Sequence, residues 1–299
     1  LYKLIGLEIE ALQAEHEETM KNIALYKDIL DNYDSMAAVI IKDMDAIKKE
    51  YGRKRRTAIE NAEEAVYEEK KMEEMEVCFL MDRFGYMKLI DKNAYERNKE
   101  AVHNENKYVF NCMNTDKICI FTDTGKMHTI KAVDIPLGRF RDKGTPVDNL
   151  SNYDSSQERM LYVAPVGQLR SDRLLFVTKT SMCKLVEGAE FDVAKRTIAS
   201  TKLADEDELI FIGSASEMEQ IVLQSHGGCF LRFLTQEVST MKKTALGVRG
   251  MKLADDDYLE HAYLLAGHQE YTISYHDKEY ALNKVRLAKR DTKGIKPRI

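Results

Sequence analysis

Ile118-Cys119-Ile120-Phe121-Thr122-Asp123-Thr124-Gly125-Lys126-Met127-His128-Thr129-Ile130 is two short apolar runs joined by a polar turn that closes on glycine. The runs have strand length and β-branched content, and a glycine at the end of the turn supplies the positive φ that a tight reversal needs. The segment therefore predicts a β-hairpin. The same form recurs at Val77–Ile90, turning at Gly85, and at Leu174–Val186, with Ser181 in the glycine position. It recurs again at Ile221–Phe233, turning at Gly228, and in degenerate form at Tyr271–Leu282. One hairpin per repeat, with further strands between, predicts a mainly β, propeller-like array of about five four-stranded blades around an axis, because a ring protects sheet edges. The absence of tryptophan rules against a WD40-type propeller.

Upstream the period changes. Ile5, Ile9, Leu12, His16, Thr19, Ile23, Tyr26 and Leu30 step by alternating fours and threes, the heptad seam of an α-helix. Asp31-Asn32-Tyr33-Asp34-Ser35 interrupts it with capping residues. A second helix follows, with Met36, Val39, Ile40, Met44, Ile47 and Tyr51 on one face and Gly52 at its end. The seam fits either a helix packed on its own domain or one strand of an antiparallel coiled coil. The expected organisation is a helical arm over residues 1–60, a charged linker over 61–76 and a β domain over 77–299.

Composition excludes several classes. Residues 1–76 carry 12 Lys/Arg against 19 Asp/Glu, whereas residues 77–299 carry 33 against 31, so only the β domain is a candidate for polyanion binding. The five cysteines form no Cys-x-x-Cys pair and the seven histidines have no ligand spacing, so neither a metal nor a disulfide framework is expected. Thiols in apolar strands fit a reducing, cytoplasmic setting. No apolar run is long enough for a membrane helix. No nucleophile–base constellation stands out, so no catalytic residue is assigned. The start at Leu1, without a basic-then-apolar leader, reads as the interior of a longer protein.

Particular motifs carry a family resemblance. Leu4-Ile5-Gly6-Leu7-Glu8 resembles the start of the returning coiled-coil arm in the A subunit of bacterial type IIA topoisomerases. Tyr51-Gly52-Arg53-Lys54-Arg55-Arg56-Thr57-Ala58-Ile59 resembles the motif closing that arm. The hairpins resemble the units of the family's C-terminal β-pinwheel, and Gly144–Leu150 and Gly247–Leu253 its interblade loops. The resemblance implies a DNA-binding and DNA-bending module of an enzyme that passes one duplex through another using ATP. The segment bearing the active-site tyrosine is not part of this sequence, so the chain alone should be inactive. ATP and Mg²⁺ would serve other parts of the enzyme. The implied partners are double-stranded DNA, the B subunit with its ATPase, and a second copy of the A subunit. Gyrase A subunits carry a Gln-Arg-Arg-Gly-Gly-Lys-Gly-like box after the first hairpin. The equivalent Tyr95–Asn106 stretch here has no glycine and only Arg97 and Lys99 as cations, which favours topoisomerase IV.

Family hairpins place an outward cation four residues after the turn glycine. Here these positions are Leu89, Thr129 and Leu185, with Arg232 alone retained. The candidate DNA-binding set is Arg232 with nearby Lys88, Lys126, Lys131, Lys179 and Lys184, and the cluster Lys242, Lys243, Arg249 and Lys252. The tail from Lys284 through Arg286, Lys289, Arg290, Lys293, Lys296 and Arg298 reads both as a disordered basic tail and as a phosphate-binding arm, two compatible readings. Binding through the backbone without base readout, weaker than a gyrase pinwheel's, is the expectation. The alternatives are a propeller-like protein-binding scaffold, or a gyrase A subunit with a degenerate box.

Overall fold

A computed structural model of the chain describes residues 2–57, 73–267 and 269–297. The chain divides into two compact units, Leu1–Lys70 and Lys71–Ile299.

In the first unit, α1 (Tyr2–Asp31) and α2 (Tyr33–Tyr51) meet at Asn32, whose extended backbone breaks the helix and whose Oδ1 accepts the Asp34 amide. Gly52 closes α2 through its amide on the Lys48 carbonyl. The seam is uncovered among the described residues: Ile9, Leu12, Ile23, Tyr26 and Leu30 of α1 and Met44 and Ile47 of α2 are all exposed. The charged linker of 61–76 falls largely outside the described residues. Its end is anchored where Asn114 Nδ2 donates to the Glu73 carbonyl and Asn114 Oδ1 accepts the Met75 amide.

The second unit opens with the hairpin β1 (Glu76–Asp82) and β2 (Tyr86–Asp91), then α3 (Lys92–Arg97), α4 (Lys99–Glu105) and β3 (Asn106–Met113). The second hairpin is β4 (Lys117–Thr122) and β5 (Lys126–Lys131), followed by β6 (Thr145–Pro146) and β7 (Met160–Pro165). The third is β8 (Arg173–Thr178) and β9 (Met182–Glu187), followed by β10 (Thr197–Ala199) and β11 (Leu209–Ser214). The fourth is β12 (Gln220–Ser225) and β13 (Phe230–Leu234), followed by β14 (Val248–Arg249) and β15 (Leu259–Leu265). The last is β16 (Thr272–Tyr275) and β17 (Lys278–Ala281).

The sheet orders are β3-β1-β2-β6, β10-β5-β4-β7, β11-β8-β9-β14, β13-β12-β15 and β16-β17. All five expected hairpins are present, on three four-stranded sheets, one of three strands and one of two. The topology explains the unequal count. Each blade receives its outer strand from the segment that follows the next blade's hairpin, so the array runs short of donors at its end. Ile295 makes only an isolated bridge to Phe230 where blade 4 would take a fourth strand.

Positive φ falls where the sequence demanded it, at Gly125 (74°) and even at Ser181 (71°). Ser181 is buried, and its hydroxyl accepts the Met251 amide at 2.7 Å, an interaction that helps hold a non-glycine residue there. Because both faces of the hairpins in blades 1 to 4 are covered, their strands are apolar on both sides, whereas no residue of β16 or β17 is buried. Phe79, Met87, Ile118 and Ile120 fill the seam between blades 1 and 2, and Phe121, Phe176 and Phe191 the next. Leu175, Leu223 and Phe233 join blades 3 and 4, and Val222, Phe230 and Tyr280 join 4 and 5. The other face of blade 1 (Cys78, Leu80 and Ile90) is covered by Val102 of α4 and Tyr95 of α3. Each such buried side chain is worth about 1.5–3 kcal/mol.

Candidate nucleic-acid interface

The outer edge of each blade is made by a returning segment. It first touches the second hairpin strand in parallel, at Leu89–Leu137, Leu185–Thr240 and Arg232–Leu287. It then loops outward and re-pairs antiparallel, as Thr145 does with Met87 and Val248 with Cys183. The loops cannot pair with a neighbouring strand, so they are where polar side chains reach solvent.

They are also where the cations gather. Segments 137–146, 192–202, 240–252 and 284–297 together hold 16 Lys/Arg and only three acids, Asp142, Asp192 and Asp291. Acidic turns lie elsewhere, at 204–208 and 254–257, against the hairpin turns of blades 3 and 4. Asp207 accepts the Thr180 amide and hydroxyl at 3.0 and 2.6 Å, and Asp257 accepts the Gly227 amide at 2.9 Å. In blades 3 and 4 charge is thus segregated, basic along the edge and acidic beside the hairpin turn, which is what a surface needs to hold a polyanion along one path.

The candidate cations fall into distinct groups. Lys184 is 1% exposed, and its ammonium donates to the carbonyls of Lys243 and Ala245 at 2.8 and 2.7 Å. It is withdrawn from the DNA-facing set: it props the return loop from beneath. Burial lowers its pKa from an ordinary 10.5 to about 8. Lys88 does the same for the first loop, donating to the Phe140 and Asp142 carbonyls, and burial lowers its pKa too. Arg232 is half-buried rather than outward. Its guanidinium donates to Gln220 Oε1 and to the carbonyls of Asn283 and Val285, tying blade 4 to the last hairpin. Lys243 donates to the Glu190 carbonyl at 3.0 Å.

Lys126, Lys179 and Arg249 reach solvent but carry acid partners: Glu158 at 2.8 Å, Glu208 at 2.9 Å and Asp291. The Glu208 hydrogen bond raises the Lys179 pKa, and the Arg249 hydrogen bond lowers that of Asp291. Lys131, Lys242 and Lys252 are exposed without an ion pair among the described residues. The basic tail is not loose over its described part. Arg290 donates to the carbonyls of Glu237 and Arg249, and Lys252 N–H donates to the Thr292 carbonyl. Arg298 lies outside the described residues.

On the returning segments, the exposed cations absent from the sequence-based set are Arg139, Arg141, Lys143, Lys195, Arg196 and Lys202. Their signal was the recurrence of cations at one place in each repeat, visible once the return segments are aligned. Lys143 lies over the Tyr86 ring at 4.4 Å from its centroid. The stretch expected to correspond to the gyrase box is folded as α3 and α4, with Asp91 capping α3 through the Asn93 amide. Among the described residues no group of His, Cys, Asp and Glu is arranged to hold a metal, and no helix is long and apolar enough to cross a membrane.

Comparison with known proteins agrees with this architecture. Residues 116–155, 172–216 and 219–266 match the family described as DNA gyrase C-terminal domain, β-propeller. The DNA gyrase A subunit of Clostridium acetobutylicum is 30% identical over 261 residues, covering 84% of this chain and 31% of its own. That of Ureaplasma parvum is 25% identical over 312 residues, covering 99% of this chain and 37% of its own. The chain thus spans about a third of the length of these relatives. Among solved structures, the C-terminal domain of a DNA topoisomerase IV superposes with a TM-score of 0.65 at 22% identity, over 74% of this chain and 72% of that one. The blades of this chain form the C-terminal β-pinwheel domain of a type IIA topoisomerase A subunit.

Proposed function

We propose that the pinwheel binds duplex DNA along the returning segments, bending it against the blade edges without reading bases. The single observation that carries this is the charge of those segments, 16 cations against three acids, in a domain whose remaining residues carry 17 cations against 28 acids. Within the intact enzyme the domain supports ATP-dependent passage of one duplex through another in the cytoplasm, with a B subunit supplying the ATPase. The exposed seam of α1 and α2 pairs with another helix of the enzyme's coiled-coil arm, and two A subunits form the dimer. Charge reversal tests the DNA reading: K195E/R196E should weaken duplex binding about tenfold or more, while reversal at the acidic-turn residues Asp205 and Glu206 should not. Equal effects from the two would refute it.

Within the family we infer a topoisomerase IV role, relaxation and decatenation. Two short helices stand where a gyrase would present its cationic glycine-rich box. Sequence similarity to gyrase A subunits favours a second reading, a gyrase with a degenerate box. Closing nicked circles in the presence of the chain separates them. A bend leaves the linking number unchanged, and a gyrase-like wrap shifts it with one sign.

A further inference from the structure

Comparing equivalent seams exposes a cation that has lost its acid. The hydrogen bonds Gly188 N–H to Asp172 O and Thr235 N–H to Glu219 O, 2.8 and 2.9 Å, put residues 188 and 235 at the same place in successive repeats. Four residues on, Asp192 therefore corresponds to Ser239, and Val193 to Thr240. Lys117 and Arg173 correspond as the first residues of β4 and β8. Between blades 2 and 3, Lys117 donates to the Val193 carbonyl at 3.2 Å and lies 3.7 Å from the Asp192 carboxylate. Between blades 3 and 4, Arg173 keeps the positive charge, but serine stands where the acid was. The Arg173 side chain is exposed and has no ion pair among the described residues.

A cavity of about 600 Å³ opens at this seam, its polar lining formed by Arg173, Glu219, Thr235, Gln236, Ser239 and Thr240. Thr235 is 6% exposed and its Oγ1 has no hydrogen-bond partner. The equivalent residues of the preceding repeats are Ala132 and Gly188, so this hydroxyl is an addition to the repeat rather than part of its packing. That oxygen has less than 1 Å² of accessible area and lies behind the cavity wall, so the hydroxyls offered to a ligand are those of the exposed Ser239 and Thr240. Glu219 is the one acid in the lining, and its carboxylate lies beside Gly267.

We propose that this cavity binds a phosphate group, with the Arg173 guanidinium as its fork and the hydroxyls of Ser239 and Thr240 as neutral donors. Planar guanidinium recognition of a tetrahedral oxyanion, completed by hydroxyls, is the chemistry that this set offers and that the Lys117–Asp192 seam has closed off. The phosphate is either a backbone phosphodiester of DNA or a free phosphate group, and the same chemistry serves both.

The test is titration of the 299-residue chain with inorganic phosphate at constant ionic strength, followed through the Arg173 Nε–H and Thr235 amide resonances. Saturable shifts in the wild type are expected. Ser239→Asp, which restores the acid of the neighbouring seam, should weaken phosphate binding by about tenfold or more, as should Arg173→Gln. Thr235→Val, close in volume and lacking only a hydroxyl behind the wall, should leave it unchanged. Absence of saturation, or an affinity unchanged in both S239D and R173Q, would overturn the proposal. If circular dichroism shows S239D unfolded, R173Q alone decides. Anisotropy with a labelled duplex then separates the sources. Weaker duplex binding by S239D assigns the site to DNA phosphodiester, and unchanged duplex binding assigns it to a free phosphate group.

Discussion

Lys184→Met should cost more stability at high pH than at neutral pH, opposite to the behaviour of an ordinary surface lysine. In the wild type the Lys184 amine meets two carbonyls, 2.8 and 2.7 Å away, in a site 1% exposed. Those hydrogen bonds survive deprotonation, because a neutral amine still has two donors. The charge itself is what burial opposes, lowering the pKa from 10.5 to about 8. Between these values the unfolded chain holds a proton that the folded chain has released, so stability from this group rises with pH across that window. From pH 7 to pH 9.5 the gain works out at about 2 kcal/mol. Methionine cannot titrate, and it leaves the Ala245 carbonyl without this donor, whereas that of Lys243 still accepts the Lys202 amide at 3.1 Å. The mutational loss should therefore be about 1 kcal/mol at pH 7 and about 3 kcal/mol at pH 9.5. In melting temperature the difference between pH values is about 4–8 °C. Urea or thermal unfolding of both proteins at the two pH values reads it, with other titrating groups cancelling in the comparison. A mutational loss that is the same at both pH values, or that shrinks with pH, would refute the reasoning.

Three further outcomes are expected. Gly125→Ala should destabilise by about 2 kcal/mol in denaturant titration, since φ is +74° and the new methyl would lie 3.1 Å from Leu203 and Thr201 side-chain carbons. Arg232→Met should release the last hairpin, raising hydrogen exchange across residues 271–285 well above that in blades 2 and 3, because the guanidinium ties Asn283 and Val285 to blade 4. Glu158→Gln should remove about 1–3 kcal/mol at neutral pH. Burial pushes the Glu158 carboxyl up, but hydrogen bonds from Lys126, His128 and Thr122 outweigh it and hold the pKa below 4.5. Its contribution is thus present above pH 4.5 and lost as pH falls through the lower folded value, so wild type and variant should converge in acid unfolding.

The hairpins were legible because their signals are local. A glycine with positive φ between two apolar runs announces itself within about a dozen residues. The strand exchange was not legible, since β6, β10 and β14 are two or three residues long and pair with strands far back in the chain. That exchange also hid the role of the cations. Lys184 looks like an outward residue in an alternating strand, yet a strand covered on both faces has no outward side, and the covering loop supplies the carbonyls. Lys195 and Arg196 sit in a segment whose edge position follows only from the pairing of Thr197 with His128. In the stretch 92–105, the lack of a glycine-rich box was readable, but the helices that cover the free face of blade 1 through Val102 were not. The arm was legible to its cap at Asn32, because heptad period and capping chemistry act within one turn.

The most direct test of the central claim is the binding of this chain to a duplex of about 40 base pairs, titrated across salt. If each of the four basic segments neutralises at least one phosphate, log Kobs should fall against log salt with a slope of about −4 or steeper. Affinity should then drop about a hundredfold between about 50 and 200 mM salt. Absence of binding at the lowest salt, or binding with a slope near zero, would contradict it and leave the blade edges as a surface for protein partners.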